Sequence, residues 1–359
     1  MKKKTKIRIG VHDVGGRIKT LLVEGTVKGY FWVVGGEKAK MQKVDTPHDI
    51  PAKQFMVDFE KILRENDQWE NVDVRALSTC GPIVAQDPPV CLRLVNRHIL
   101  EPITLKGVVA LNDGMAALYG SAVGGVLKGH NGAAAFYTLG TGLGAGTREW
   151  VLNPKTSKEE LRLTDNEMHF QINTESPVRR PCNCNLEGCA EAEVNEQALK
   201  DLLLAEKLDL TKLIKPGKTD SNIGRDVEYH RDRGDASPFK AQIDRALETW
   251  NNRIGTVVAN VHGSRVMGGD AIRPAPMYVF GGGLQSLVDA RRVRLKVMNL
   301  SKGNPQNGSR FIIERESILG NRAGRIGAAA AAMMRYYGLT LEELTFLPDE
   351  PSKTRGKKK

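Results

Sequence analysis

Three glycine turns, each directly after an apolar run of strand character, constrain this chain more than any other feature. They are Asp13-Val14-Gly15-Gly16-Arg17-Ile18-Lys19, Gly140-Thr141-Gly142-Leu143-Gly144-Ala145-Gly146 and Gly281-Gly282-Gly283. Ile7, Ile9 and Val11 alternate with polar residues before the first, which is a strand signature. Paired glycines at a strand end let backbone N–H groups turn toward an anion with no side chain in the way. Asp13 beside the first turn can hold a metal-bound water. Thr141 adds a hydroxyl to the second, and the third lets a flat base or ribose lie against the backbone. Taken singly, each turn reads equally well as a plain β-turn. Gly140–Gly146 is not a dinucleotide fingerprint, because it lies deep in the chain and no helix start follows within the turn. As an ordered set, the first two turns suit gripping a nucleotide triphosphate tail from two sides.

The rest of the chain reads as alternating strands and helices. Residues 20–23, 29–34, 72–79 and 108–114 are strand-like, and 55–66 and 116–125 have helical character. Ile243, Ala246, Leu247, Trp250, Ile254, Val257, Val258 and Val261 recur three or four apart, the buried stripe of one long helix. An alanine-rich helix over 323–338 closes the pattern, with Gly338 suited to its stop. Strand, strand, strand, helix, strand occurs at the start, and part of it recurs from about residue 132, which suggests a duplicated α/β fold. A length of 359 residues suits two lobes rather than one core.

Composition narrows the function classes. No apolar run approaches the ~18–20 residues that span a bilayer, and the N-terminus carries no secretory signal, so a cytoplasmic protein is expected. The net charge of +11 raises the question of nucleic acid. Eight of those charges sit in two tails: Lys2, Lys3 and Lys4, then Lys353, Arg355, Lys357, Lys358 and Lys359. Residues 5–352 are left with +3. No basic region is interleaved with aromatics, so neither a nucleic-acid nor a membrane partner is expected.

Five cysteines, three of them within PCNCNLEGCAE at 181–191, are no disulfide framework. In a reducing compartment such a cluster reads as a metal site or as reactive or buried thiols. Cys80 and Cys91 read as small core residues. Asn112-Asp113 ends a strand, so Asp113 suits either a base for a substrate hydroxyl or, like its neighbour, a helix N-cap.

With these motifs in place, the chain resembles the ROK family of sugar kinases and regulators from about residue 7 to residue 337. The family's first phosphate turn corresponds to Asp13–Lys19 and its Pro-Gly-Pro turn to Cys80-Gly81-Pro82. Its Asn-Asp pair corresponds to Asn112-Asp113, its second phosphate turn to Gly140–Gly146 and its adenosine turn to Gly281–Gly283. Its closing glycine-alanine helix corresponds to residues 320–329. The signature Cys-x-Cys-Gly-x-x-Gly-Cys-x-Glu is met by Cys182 through Glu191, with Asn185 in place of the first glycine.

The resemblance implies a two-lobed, actin-like (ribonuclease H-like) ATPase fold with duplicated mixed β-sheets. It places one lobe at 1–112, with the helix at 322–337 packed back on it. A second lobe covers 113–321 and carries a zinc loop at 169–191, and a disordered basic tail follows from 347 to 359. It implies ATP, Mg²⁺ and structural Zn²⁺, with His169, Cys182, Cys184 and Cys189 as zinc ligands. It assigns Asp13, Gly15, Gly16, Arg17, Lys19, Gly140, Thr141, Gly142, Gly144, Gly281, Gly282 and Gly283 to the nucleotide. Gly81, Asn112, Asp113, Glu167, His169 and Glu191 fall to a hexose, with Asp113 as general base on its 6-hydroxyl. Glucose leads among several sugars that fit, and a homodimer or homotetramer is implied.

The chain departs from the family at Arg17, where a threonine stands, and at Asn166 and Met168, where the family has glutamate and glycine before the histidine. These changes keep a catalytically weak sugar-binding or regulatory protein as the alternative. A polyphosphate-dependent glucokinase ranks below it, since the positive charge is in the tails. With the first phosphate turn starting at residue 13, no preceding DNA-binding helix-turn-helix is expected.

Overall fold

The computed structural model describes residues 4–349 except 15–16, 36–41, 46–56, 58–60, 62–71, 80–82, 87–88, 95–96, 105–106, 154, 157, 167, 173–178, 183, 220–221, 263–275, 301–309, 314–318 and 320–321. The chain divides into two compact units, residues 1–128 with 322–359, and residues 129–321.

The first unit is built on a seven-stranded sheet. Its strands are β1 (Lys6–Val14), β2 (Arg17–Thr26), β3 (Tyr30–Val33), β4 (Gln42–Asp45), β5 (Val74–Thr79), β9 (Val108–Asn112) and β15 (Thr345–Leu347), in the order β15-β3-β2-β1-β5-β9, with β4 paired to β2. β6 (Ile83–Gln86), β7 (Pro89–Leu94) and β8 (Arg97–Thr104) form a separate antiparallel sheet. β1 is buried almost along its whole length, with Ile9 and Val11 fully enclosed, because covering layers take up both faces.

One layer is helical. α1 (Asp113–Gly124) and α7 (Ala323–Tyr337) pack closely enough to exclude side chains at the crossing. A Cβ on Gly120 would lie 1.9 Å from the Ala323 carbonyl oxygen, and one on Gly327 would lie 1.6 Å from that of Ala116. The small residues of these two segments therefore serve backbone approach. Because α1 packs here, the first unit runs past residue 112 to Lys128. α7 ends on Gly338 in the left-handed conformation (φ 73°), whose N–H donates to the Met334 carbonyl at 2.8 Å.

The second unit repeats the scheme. β10 (Ala134–Leu139), β11 (Leu143–Asn153), β12 (Lys158–Asn166), β13 (Met277–Gly281) and β14 (Arg310–Ile313) are ordered β12-β11-β10-β13-β14. In both units the first strand has an antiparallel pair of strands in succession on one side, extended in the first unit by β15 and β4, and two parallel strands on the other. The duplication suggested by the glycine turns is thus a duplication of strand order and direction.

The helices of this unit are α2 (Ala190–Val194), α3 (Glu196–Ala205), α4 (Ile223–Asp232), α5 (Lys240–His262) and α6 (Ala290–Leu300). The stripe expected on the long helix is the buried face of α5. Its Trp250 is fully enclosed and donates its indole N–H to the Val194 carbonyl at 2.9 Å.

Three expectations meet limits here. Of the helix expected over 55–66, residues 57 and 61 are helical and the rest lie outside the described residues, as does Cys80, with the side chain of Cys91. The tail expected from 347 begins inside β15, where Phe346 is buried against Phe31 with ring centroids 5.6 Å apart. Residues 350–359 lie outside the described residues. No helix among the described residues is long and apolar enough to cross a membrane.

Candidate functional site

In the first unit the candidate residues gather at the carboxyl ends of three adjacent parallel strands. Register places Val14 beside Thr79 and Thr79 beside Asn112, the end of a parallel sheet where ligands characteristically bind. Asp13 pairs across the β1–β2 hairpin with Lys19, whose Nζ lies 3.6 Å from Oδ2. Arg325, buried in α7, approaches the same oxygen to 3.8 Å. Both contacts are longer than a hydrogen bond. Burial lowers the Arg325 pKa, and the Asp13 carboxylate pulls it back up. Gly15, Gly16 and Gly81 lie outside the described residues, as does the side chain of Arg17.

Asn112 is the last residue of β9 and the N-cap of α1. Its side-chain oxygen accepts from the Gly114 N–H at 2.8 Å. Asp113 opens the helix, and its Oδ1 also lies 2.8 Å from that N–H. The cap reading therefore holds for Asn112. Asp113 is a half-buried carboxylate in the first turn, at the positive end of the helix.

In the second unit the two glycine turns are neighbours, because β10 and β13 are adjacent and parallel. Thr138 pairs with Gly281, and the Leu284 N–H donates to the Leu139 carbonyl at 3.1 Å. Gly140, Thr141 and Gly142 make the β10–β11 turn, closed by Gly140 N–H donating to the Gly142 carbonyl at 3.0 Å. The Gly144 N–H donates to the Thr138 hydroxyl at 3.1 Å. Gly282 has φ 92°, and a Cβ there would meet the Leu139 carbonyl oxygen at 2.4 Å. By contrast, nothing lies within 4 Å of a Cβ built on Gly140 or Gly283. One face of each turn is thus open.

The cysteine segment forms a compact knot. Backbone pairing zips its entrance to its exit: Ile172 N–H to Gly188 O, Gly188 N–H to Arg180 O and Ala190 N–H to Phe170 O, all 2.8–2.9 Å. Asn185 adopts φ 66°, the left-handed conformation that asparagine tolerates best after glycine.

His169, Cys182, Cys184 and Cys189 place their donor atoms within 4.8 Å of one another. The His169 Nδ1 lies 3.6 Å from the sulfurs of Cys182 and Cys189. Tetrahedral zinc, with bonds of about 2.3 Å to sulfur and about 2.0 Å to nitrogen, separates its ligands by roughly 3.5–3.8 Å, so spacing and donor chemistry both fit. The three cysteines are free thiols. Burial pushes the thiols of Cys182 and Cys189 up. Cys184 is held below the ordinary value, the Leu186 N–H and the neighbouring thiols outweighing its burial. Three sulfurs this close cannot all ionise without a cation among them. On its far side, His169 sets Nε2 at 3.0 Å from the Glu191 carboxylate, the outer partner that fixes a metal-ligating imidazole. Asn166 ends β12 opposite Ala145, its side chain outside the described residues together with Glu167.

Arg325, Glu193 and Arg253 are the residues that sequence reasoning misses. Each is a buried charged side chain on a helix. Arg325, alone among the small residues of 323–332, is the one whose sequence context signals it.

The two matching sheets and the edges they present define the α/β, two-sheet fold of the ROK-family sugar kinases. A ROK glucokinase from Streptomyces griseus, solved with glucose and AMPPNP, superposes with a TM-score of 0.64 at 19% identity, over 90% of this chain and 99% of that one. A ROK hexokinase from Thermus thermophilus gives 0.55 at 18% identity, over 93% and 100%. A ROK transcriptional regulator, homologous to the MLC protein of E. coli, gives 0.56 at 14% identity, over 92% and 80%. No protein-family model matches the chain, and no curated protein matches it by sequence.

Proposed function

We propose that this chain is an ATP-dependent hexose kinase, with glucose as the leading substrate and the 6-hydroxyl as the acceptor. The observation that carries the reading is the pair of open glycine turns on adjacent parallel strands, Gly140–Gly142 and Gly281–Gly283, in a fold shared with a kinase solved with a sugar and an ATP analogue.

The Gly140–Gly144 backbone and the Thr141 hydroxyl hold the triphosphate, and the Gly281–Gly283 turn supports the adenosine. Lys19 and the Gly15-Gly16 turn, with Arg17, complete the grip, and Asp13 would hold the nucleotide's Mg²⁺. That ion supplies charge neutralisation at the phosphates.

Asp113 accepts the proton of the sugar hydroxyl as that oxygen bonds to the γ-phosphorus and the bond from γ-phosphorus to the β-phosphate oxygen breaks, releasing ADP. Asn112, Glu191 and His169 position the ring, joined by Gly81 and Glu167. Catalysis comes from in-line placement and charge stabilisation, with no covalent enzyme intermediate. His169, Cys182, Cys184 and Cys189 would hold a structural Zn²⁺, with Glu191 fixing the orientation of the imidazole as its outer partner.

A sugar-binding regulator is the second reading, supported by the likeness to the MLC-type regulator and by Asn166 where the kinases' motif has glutamate. Coupled detection of ADP from ATP, Mg²⁺ and a panel of hexoses decides between them. Hexose-dependent ADP release supports the kinase. Sugar binding without ADP release refutes it and leaves the regulator.

A further inference from the structure

Glu193 has no place in the metal shell or among the sugar-facing residues, yet its side chain is completely buried. Its Oε1 accepts from the Arg180 backbone N–H at 3.0 Å, and its Oε2 lies 2.9 Å from the Arg253 guanidinium. Arg253, on α5, also donates to the Glu193 carbonyl oxygen at 3.4 Å. Arg180 lies 4.0 Å from the same carboxylate through Nε, and pairs on its other side with Asp201 of α3. Two carboxylates and two guanidiniums thus alternate through the protein beside the cysteine knot.

The positions of these residues matter as much as their charge. Arg180 stands just before Cys182, the first cysteine of the knot. Glu193 stands just after Cys189, the last, on the short helix that also carries Glu191. One carboxylate therefore clamps the two ends of the ligand-bearing segment to each other and fastens both to α5. Resting on the zinc reading above, we infer that Glu193 is a positioning residue: with Arg253 it presets the knot for metal and sets the strength of zinc binding. Partners that hold a ligand directly govern metal affinity by about 10–100-fold, and Glu193 is placed to act on the same scale by fixing the chain on both sides of the three thiols.

The test must separate positioning from mere stability. Glu193→Leu alone strands the Arg253 charge in the interior. The double variant Glu193→Leu/Arg253→Met removes both charges and restores an apolar contact, an exchange that typically keeps a protein folded. Zinc affinity is read by competition with a chromophoric chelator, and folding by circular dichroism and thermal unfolding. The expected result is a zinc dissociation constant raised about 10–100-fold in both variants, with the thermal midpoint recovered only in the double. Glu193→Gln, which keeps an acceptor for the Arg180 N–H, is expected to lose less. Wild-type zinc affinity in a folded double variant overturns this inference alone. A wild-type chain that takes up no zinc overturns the metal reading and this inference with it.

Discussion

Two glycines of the second unit make opposite predictions from one structure. At Gly282 an alanine must adopt φ 92° and place its Cβ 2.4 Å from a backbone oxygen. The left-handed backbone costs about 1–2 kcal/mol and the forced repacking about 1–3 kcal/mol, or roughly 2–5 kcal/mol together. At about 2–4 °C per kcal/mol for a unit of this size, Gly282→Ala lowers the unfolding midpoint by about 4–20 °C. At Gly140 the added methyl meets no atom within 4 Å, so Gly140→Ala leaves stability within about 0.5 kcal/mol. If that open space holds phosphate, the methyl occupies it, and ATP affinity falls by about tenfold or more, a loss of about 1.4 kcal/mol. Thermal unfolding and calorimetric titration with AMPPNP read both quantities on both variants. A Gly140→Ala protein that is equally stable and binds the nucleotide as tightly as the parent refutes the placement of the triphosphate. A Gly282→Ala protein of unchanged midpoint refutes the strain reasoning.

Further outcomes follow from other residues. Gly327→Val pushes a branched side chain into the Ala116 carbonyl, forcing α1 and α7 apart. It is expected to cost more than about 3 kcal/mol in urea unfolding, against about 1 kcal/mol for Gly129→Asn, where nothing lies within 4 Å but asparagine must adopt the left-handed φ of 77°. His230, buried edge-on between Tyr229 and Phe239, is held below the ordinary histidine value chiefly by burial. A depressed folded pKa means that the unfolded chain binds the proton more readily. The stabilisation is therefore present above about pH 6.5 and is lost as pH falls through the folded value. Urea midpoints should drop between pH 7.5 and pH 5.5, with a shallower drop in His230→Phe; an equally steep drop there contradicts the assignment.

What the sequence makes legible follows from how local each signal is. The second and third glycine turns and the α5 stripe are local patterns, and each sits at the strand end or on the helix expected of it. The cysteine knot is legible because metal-ligand spacing is short-range, and Asn185 could be recognised as a tolerable left-handed residue before any coordinates. The edge and antiparallel strands β4, β6–β8 and β12 escape notice. β12, for example, reads Lys-Glu-Glu-Leu-Arg-Leu-Thr-Asp-Asn, a mostly polar run held by pairing with β11 rather than by an apolar face of its own. The buried charges escape for a related reason. Glu193 and Arg253 are sixty residues apart in sequence, and nothing local marks either as buried. Asn112 shows a third limit, since one side chain serves both as a helix cap and as a candidate ligand.

The central claim is that the carboxylate of Asp113 takes the proton from a sugar hydroxyl during phosphoryl transfer. Phosphorus NMR of a reaction containing ATP, Mg²⁺ and glucose tests it most directly, run on the parent and on Asp113→Asn protein of matched fold, zinc content and glucose affinity. The account predicts a hexose 6-phosphate signal from the parent and a rate at least about a hundredfold lower from the variant. Sugar phosphate accumulating at the parent's rate in the Asp113→Asn protein would contradict it.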